Sequence, residues 1–168
     1  GSLRSEAFGG LVPRDLVVAD LGCGDGHMTD YLAERAGRVV AIDHSAQMLK
    51  AARRRVTAAN VEFRVGELEQ LPLADGEVDA TFANLVWHHV ADMDRAAAEV
   101  FRALRPGGTA VITDLMPHDA DWMRDAMGDL RLGILPDAVR AAMARAGFVH
   151  LVQEDVHDSY RIEGPEGQ

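Results

Sequence analysis

Asp20, Gly22, Gly24 and Gly26 stand at alternate positions behind an apolar run at residues 16–19, and a second acid, Asp43, ends another apolar run at residues 39–42. Alternating glycines let the backbone bend sharply and let a ligand approach with no Cβ in the way. A plain strand-to-helix turn needs one such residue, not three. A helix opening at about His27 would aim unpaired N–H groups at that ligand. The acid at Asp20 suits a cationic ligand and suits a pyrophosphate poorly, and the G-x-G-x-x-G spacing of a dinucleotide site is absent. Asp43, at a strand end, is placed to accept hydrogen bonds from ribose hydroxyls. His88, His89 and His118 are the side chains near the predicted mouth that could take a proton from a reacting phenol, enol carbon or amine.

The elements that would carry these residues follow from periodicity. Residues 16–19 read as a strand buried on both faces. Met28, Leu32 and Ala36 form the core stripe of a helix that Gly37 ends. Residues 39–42 are the second strand, and Ser45 caps a helix over residues 46–57 with Met48 and Leu49 facing the core. A third strand spans residues 61–65, closed by Gly66, Glu67 and Leu68, and a fourth spans 78–83 and runs into Asn84, Leu85, Val86, Trp87, His88 and His89. Asp94 is read as the cap of a helix ending at Leu104, with Ala97, Ala98, Phe101 and Leu104 on its buried face. Arg105, Pro106, Gly107 and Gly108 stop it before a fifth strand over residues 109–114. A helix through Trp122, Met127 and Leu130, a helix over 136–146 and a last strand over 148–156 complete the domain. Alternating strands and helices give a Rossmann-like, doubly wound, mostly parallel α/β sheet, which binds ligands at the carboxyl ends of its strands.

At 168 residues the chain is one domain, residues 3–157, with a polar tail over 158–168 that frays. The formal net charge of −10 repels phosphate backbones, so no nucleic acid is expected as partner. Arg53, Arg54 and Arg55 fall late in a helix and read as a solvated face. The single cysteine, Cys23, allows no internal disulfide, which fits a cytoplasmic location. No signal peptide and no run long enough to span a membrane are visible. His88, His89, His118 and Asp119 have the chemistry of zinc or iron ligands, but neighbouring histidines on a strand end point apart, so no metal site is expected.

Four segments agree: residues 20–26, Asp43, residues 66–73, and Leu104-Arg105-Pro106-Gly107-Gly108. Together they resemble class I S-adenosylmethionine-dependent methyltransferases of the methyltransferase domain 11 type, over about residues 16–148. The resemblance implies S-adenosylmethionine as cofactor and S-adenosylhomocysteine as product. It implies that Asp20, Gly22, Cys23, Gly24 and Gly26 hold the methionyl end with Asn84 and Leu85, and that Asp43 takes the ribose. His44 would lie at the adenine, Met48 is counted among the cofactor-binding residues, Glu67 would take the adenine amino group, and the backbone N–H of Leu68 would meet a ring nitrogen. Trp87, His88 and His89 would face the substrate side or begin the next helix, and together with residues 116–135 their Met, Trp, His and Leu side chains suit a small, partly apolar acceptor. The stretch Asp114-Leu115-Met116-Pro117-His118-Asp119, with Trp122-Met123-Arg124, Met127-Gly128-Asp129 and Leu132-Gly133, resembles methyltransferase domains fused behind ArsR-type winged-helix repressors. Against the family pattern, the usual N-terminal cap and seventh strand are expected to be missing. That leaves a sheet edge or gap for a fused or separate partner domain or a second copy of the chain. Arsenic methylation needs several thiolates, and only Cys23 is present. Two other readings share much of the pattern. A cofactor-binding regulatory or assembly module would keep Asp20, Gly22, Gly24 and Asp43 without a base, and an NAD oxidoreductase lacks the glycine spacing here.

Overall fold

The computed structural model describes residues 15–114 and 136–152. Among the described residues five strands form one sheet in the order β3-β2-β1-β4-β5. They are β1 (Val17–Leu21), β2 (Arg38–Asp43), β3 (Val61–Val65), β4 (Val78–Asn84) and β5 (Leu104–Thr113). Every pairing is parallel. The helices of the described residues are α1 (His27–Ala33), α2 (Ala46–Arg55), α3 (Met93–Ala103) and α4 (Pro136–Ala146), with a 3-10 turn at Trp87–His89. Strand order reverses between β1 and β4, so a crevice opens at their carboxyl ends.

Two packed faces bury the sheet. Val18, Val39, Ala80 and Phe82 meet Met28, Leu32, Ala33 and Ala36 from α1 and the turn after it. Ala41 and Leu49 of α2 pack with Cys23 beside them. On the other face Ala19, Leu21, Val40, Ile42 and Ala83 meet Ala96, Ala97, Val100 and Ala103 of α3 and Ala142 and Met143 of α4. Strands covered on both sides read as continuous apolar runs, which is why periodicity located them.

Several expectations are corrected. Asp92, not Asp94, caps α3: its Oδ1 accepts from the Arg95 N–H at 3.1 Å, while Asp94 lies in the first turn and pairs with Arg145 at 2.7 Å. The shift rotates the buried stripe to Ala96, Ala97, Val100 and Ala103, so Ala98 is exposed and Phe101 keeps 46% of its surface. Phe101 instead meets Phe148 edge to face, at 5.3 Å between ring centres. Leu104 already pairs with Val78, and the next partners are Thr109 and Ala80. Residues 105–108 therefore bulge out of β5 rather than precede it. Residues 148–152 are not a strand. The lead-in before residue 15, helix 122–130, the rest of the last strand and the tail lie outside the described residues, as does most of the stretch that resembles regulator-fused domains. Among the described residues no helix is long and apolar enough to cross a membrane.

Ion pairs clip the β3–β4 connection in place. Arg64 of β3 donates to Pro72 O at 2.8 Å and to Glu77 at 2.8 and 3.0 Å. Arg102 of α3 donates to Leu73 O at 2.7 Å and to Glu99 at 2.9 Å, and Glu99 accepts from the Leu71 N–H at 2.8 Å. Hydrogen bonds from Arg64 and Arg102 hold the Glu77 and Glu99 carboxyls below the ordinary value of 4.5. A depressed carboxylate stabilises the fold fully above its unfolded pKa and loses that contribution as pH falls through the folded one. Glu77→Gln should therefore cost about 1–2 kcal/mol at neutral pH. The gap to the parent chain should close below about pH 4, as read from urea unfolding at several pH values.

Candidate functional site

The alternating glycines do two different jobs. Gly22 leaves β1 at φ +71°, and its N–H and that of Cys23 both donate to Ile42 O, at 2.8 and 2.9 Å. A Cβ at Gly22 would overlap the Val86 side chain. Gly26 sits at φ +94° as the cap of α1, 2.8 Å from Val56 Cγ2 when given a Cβ. It brings α1 close to α2 and, unlike the other residues expected at the cofactor, is not among those that line the cleft.

The two acids hold this turn. Asp20 is buried, and its Oδ2 accepts from Thr29 Oγ1 at 2.7 Å, tying the strand end to α1. Asp43 Oδ2 accepts from the Gly24 N–H and its Oδ1 from the Ser45 N–H, both at 2.9 Å. Ser45 in turn caps α2 by accepting from the Met48 N–H at 3.2 Å, as its residue type predicts. The Gly66 N–H donates to Asp43 O at 3.0 Å, so the loop after β3 closes on the end of β2.

These elements enclose a cleft of about 840 Å³. Asp20, Gly22, Cys23, Gly24, Asp43, His44, Met48, Glu67, Leu68, Asn84 and Leu85 all line it, as does His89. Met48 is 41% exposed and faces the cleft; only Leu49 of that pair enters the core. Five carboxylates (Asp20, Asp25, Asp43, Glu67 and Glu69) line the walls, with no lysine or arginine among the lining residues. Such walls favour a cation and disfavour a pyrophosphate. Burial, reinforced by Asp20 and Asp43, pushes the Cys23 thiol far up, so it is a small wall residue and not a nucleophile. Among the described residues no three His, Cys, Asp or Glu side chains converge on a metal position.

The far wall is the segment after β4. Leu85 adopts φ +61°, a left-handed conformation unusual for leucine, and its N–H donates to Thr113 O at 2.8 Å. Strained backbone in a cleft wall is where functional sites store strain. Thr113 Oγ1 donates to Asn84 Oδ1 at 2.6 Å. In the 3-10 turn that follows, Trp87 is fully buried in the core and so does not face the cleft. His88 is 4% exposed and bonds Asp114, while His89 is exposed and lines the cleft. The two histidine rings lie 4.1 Å apart, so they do not diverge as strand-end neighbours would. His118 and Asp119 lie outside the described residues.

Periodicity did not single out Asp25, His27, Glu69, Val86 or Val90 as walls, nor Asp114 as a partner of His88. Glu69 Oε1 accepts from the Ala91 and Asp92 N–H groups at 3.0 and 3.4 Å, which fastens the loop after β3 to the start of α3. No local signal in the sequence marks that contact, because it joins residues 22 and 23 positions apart.

The family model for a methyltransferase domain matches residues 19–112. An arsenite methyltransferase of Halobacterium salinarum is 32% identical over 160 residues, covering 88% of this chain and 41% of that protein. A malonyl-[acyl-carrier protein] O-methyltransferase of Serratia marcescens is 36% identical over 109 residues, covering 65% of this chain and 42% of that protein. The chain thus spans about two fifths of the length of these relatives. The crystal structure of an S-adenosylmethionine-dependent methyltransferase from Mesorhizobium loti superposes with a TM-score of 0.76 at 24% identity, covering 89% of this chain and 82% of that one.

Proposed function

The chain belongs to the methyltransferase-domain family and has the class I, Rossmann-like fold, and from that premise we propose that it transfers a methyl group from S-adenosylmethionine to a small-molecule acceptor. The observation that carries this reading is the acidic cleft at the switch point, with Asp43 gripping the glycine turn. Asp43 uses two carboxylate positions on backbone N–H groups and retains acceptor capacity for a ribose diol. Glu67 and the Leu68 N–H would hold the adenine edge, with His44 and Met48 beside the ring. Asp20, the glycine turn, Asn84 and Leu85 would hold the methionyl end.

The bound cofactor supplies an electrophilic methyl on a sulfonium. The protein's part is to hold the acceptor atom in line, exclude water and, for a protonated acceptor, receive its proton. The names of the relatives do not choose the acceptor. Arsenite chemistry calls on several thiolates, and the one cysteine here is a turn residue with its thiol pKa raised.

Calorimetric titration tests the cofactor directly. S-adenosylhomocysteine should bind with micromolar affinity, and NAD should give no heat. Binding of NAD alone, or of neither, would overturn the reading.

A further inference from the structure

The turn after β4 separates three consecutive side chains. A 3-10 helix has three residues per turn, so successive side chains leave it about 120° apart. Trp87 goes into the core, His88 toward β5, and His89 into the cleft wall. Asp114, just past the end of β5, grips His88 twice: its Oδ1 lies 2.7 Å from Nδ1 and its Oδ2 accepts the His88 backbone N–H at 3.2 Å. Both side chains are at least 95% buried. A carboxylate only accepts, so Nδ1 of His88 carries the proton and the ring cannot turn over without losing that bond. His89 packs its ring against this fixed ring, 4.1 Å between centres.

We propose that His89 is the base that receives the acceptor's proton, and that the buried His88–Asp114 pair is its positioning device. The proposal rests on the methyl-transfer reading above. As the acceptor atom gains the methyl group, its proton passes to the His89 imidazole. The electron pair of the broken carbon–sulfur bond stays on sulfur, and the exposed imidazolium then returns the proton to solvent. His88 is a positioning residue because its buried ring, held by Asp114, does not line the cleft.

Histidine-selective NMR of the whole chain tests this without an acceptor. The parent chain should show a hydrogen-bonded Nδ1–H signal for His88, and S-adenosylhomocysteine should shift the His89 ring signals while leaving the His88 tautomer unchanged. Asp114→Asn should abolish the His88 signal and move the His89 ring signals even without ligand, with affinity for S-adenosylhomocysteine within about threefold of the parent's. If the ligand binds by calorimetry and His89 does not respond, His89 is not the base. If Asp114→Asn leaves the His89 ring unmoved, the positioning role fails. If calorimetry shows no ligand binding, the cofactor reading has failed instead, while the ligand-free comparison still decides the positioning role. Should Asp114→Asn not fold, the tautomer of His88 in the parent chain decides: an Nδ1 without its proton overturns the pair. With any acceptor that turns over, His89→Ala should lower kcat about 100-fold or more at little changed KM.

Discussion

Replacing Asp43 with alanine should weaken S-adenosylhomocysteine binding by about 100-fold or more. The carboxylate is 6% exposed and stands where β2 ends against the cleft. Hydrogen bonds to a charged group contribute about 1.5–3 kcal/mol each, so loss of just one to a ribose diol already spans about tenfold to 150-fold. The backbone adds to this. Without the carboxylate the Gly24 and Ser45 N–H groups lose their acceptor, and the glycine turn loses the contact that fixes its shape. Asparagine is a poor rescue here. Both carboxylate oxygens accept from backbone N–H groups, so an amide would have to set its NH2 against one of them. Isothermal calorimetry on Asp43→Ala and Asp43→Asn, with circular dichroism to verify the fold, measures both effects. Unchanged affinity in the alanine variant would remove Asp43 from the binding site.

Trp87→Ala should destabilise the fold by about 3–5 kcal/mol, and Trp87→Phe by less than about 1 kcal/mol. Trp87 is among the largest fully buried side chains and packs in the cluster that joins β1, β2 and β4 to α3. Truncation leaves a cavity that the surrounding strands cannot close. The indole Nε1, however, is buried with no hydrogen-bond partner among the described residues. An unsatisfied buried donor carries a desolvation cost of about 1–3 kcal/mol, so phenylalanine relieves a penalty while it forfeits some packing. Thermal and urea unfolding of the two variants should separate cleanly. A phenylalanine variant as unstable as the alanine one would mean that shape at this position matters more than the stranded N–H. Because the same turn carries His88 and His89, the alanine variant should also disturb the His89 wall of the cleft.

Much of the site was legible because it is built from local signals. Asp20 and Asp43 end apolar runs, the glycines alternate, and Ser45 stands one residue before a helical stripe. Each depends only on neighbours a few positions away, and the structure brings eleven of the twelve residues assigned to the cofactor into one cleft. The departures share a cause. Asp92 and Asp94 are both good caps by type, and the choice between them fell to the way α3 docks Ala96, Val100 and Ala103 on the sheet. Met48 and Leu49 are both apolar, and only the docking of α2 sent one to the core and the other to the cleft.

By itself the sequence determined the order of strands and helices, the acid at each strand end and the glycine turn between β1 and α1, because backbone sterics and burial on both faces act over short separations. The tertiary structure decided which of Trp87, His88 and His89 meets the core, the carboxylate and the cleft. That choice depends on Asp114, 26 residues away, which reaches His88 only because β4 and β5 pair in parallel and end side by side.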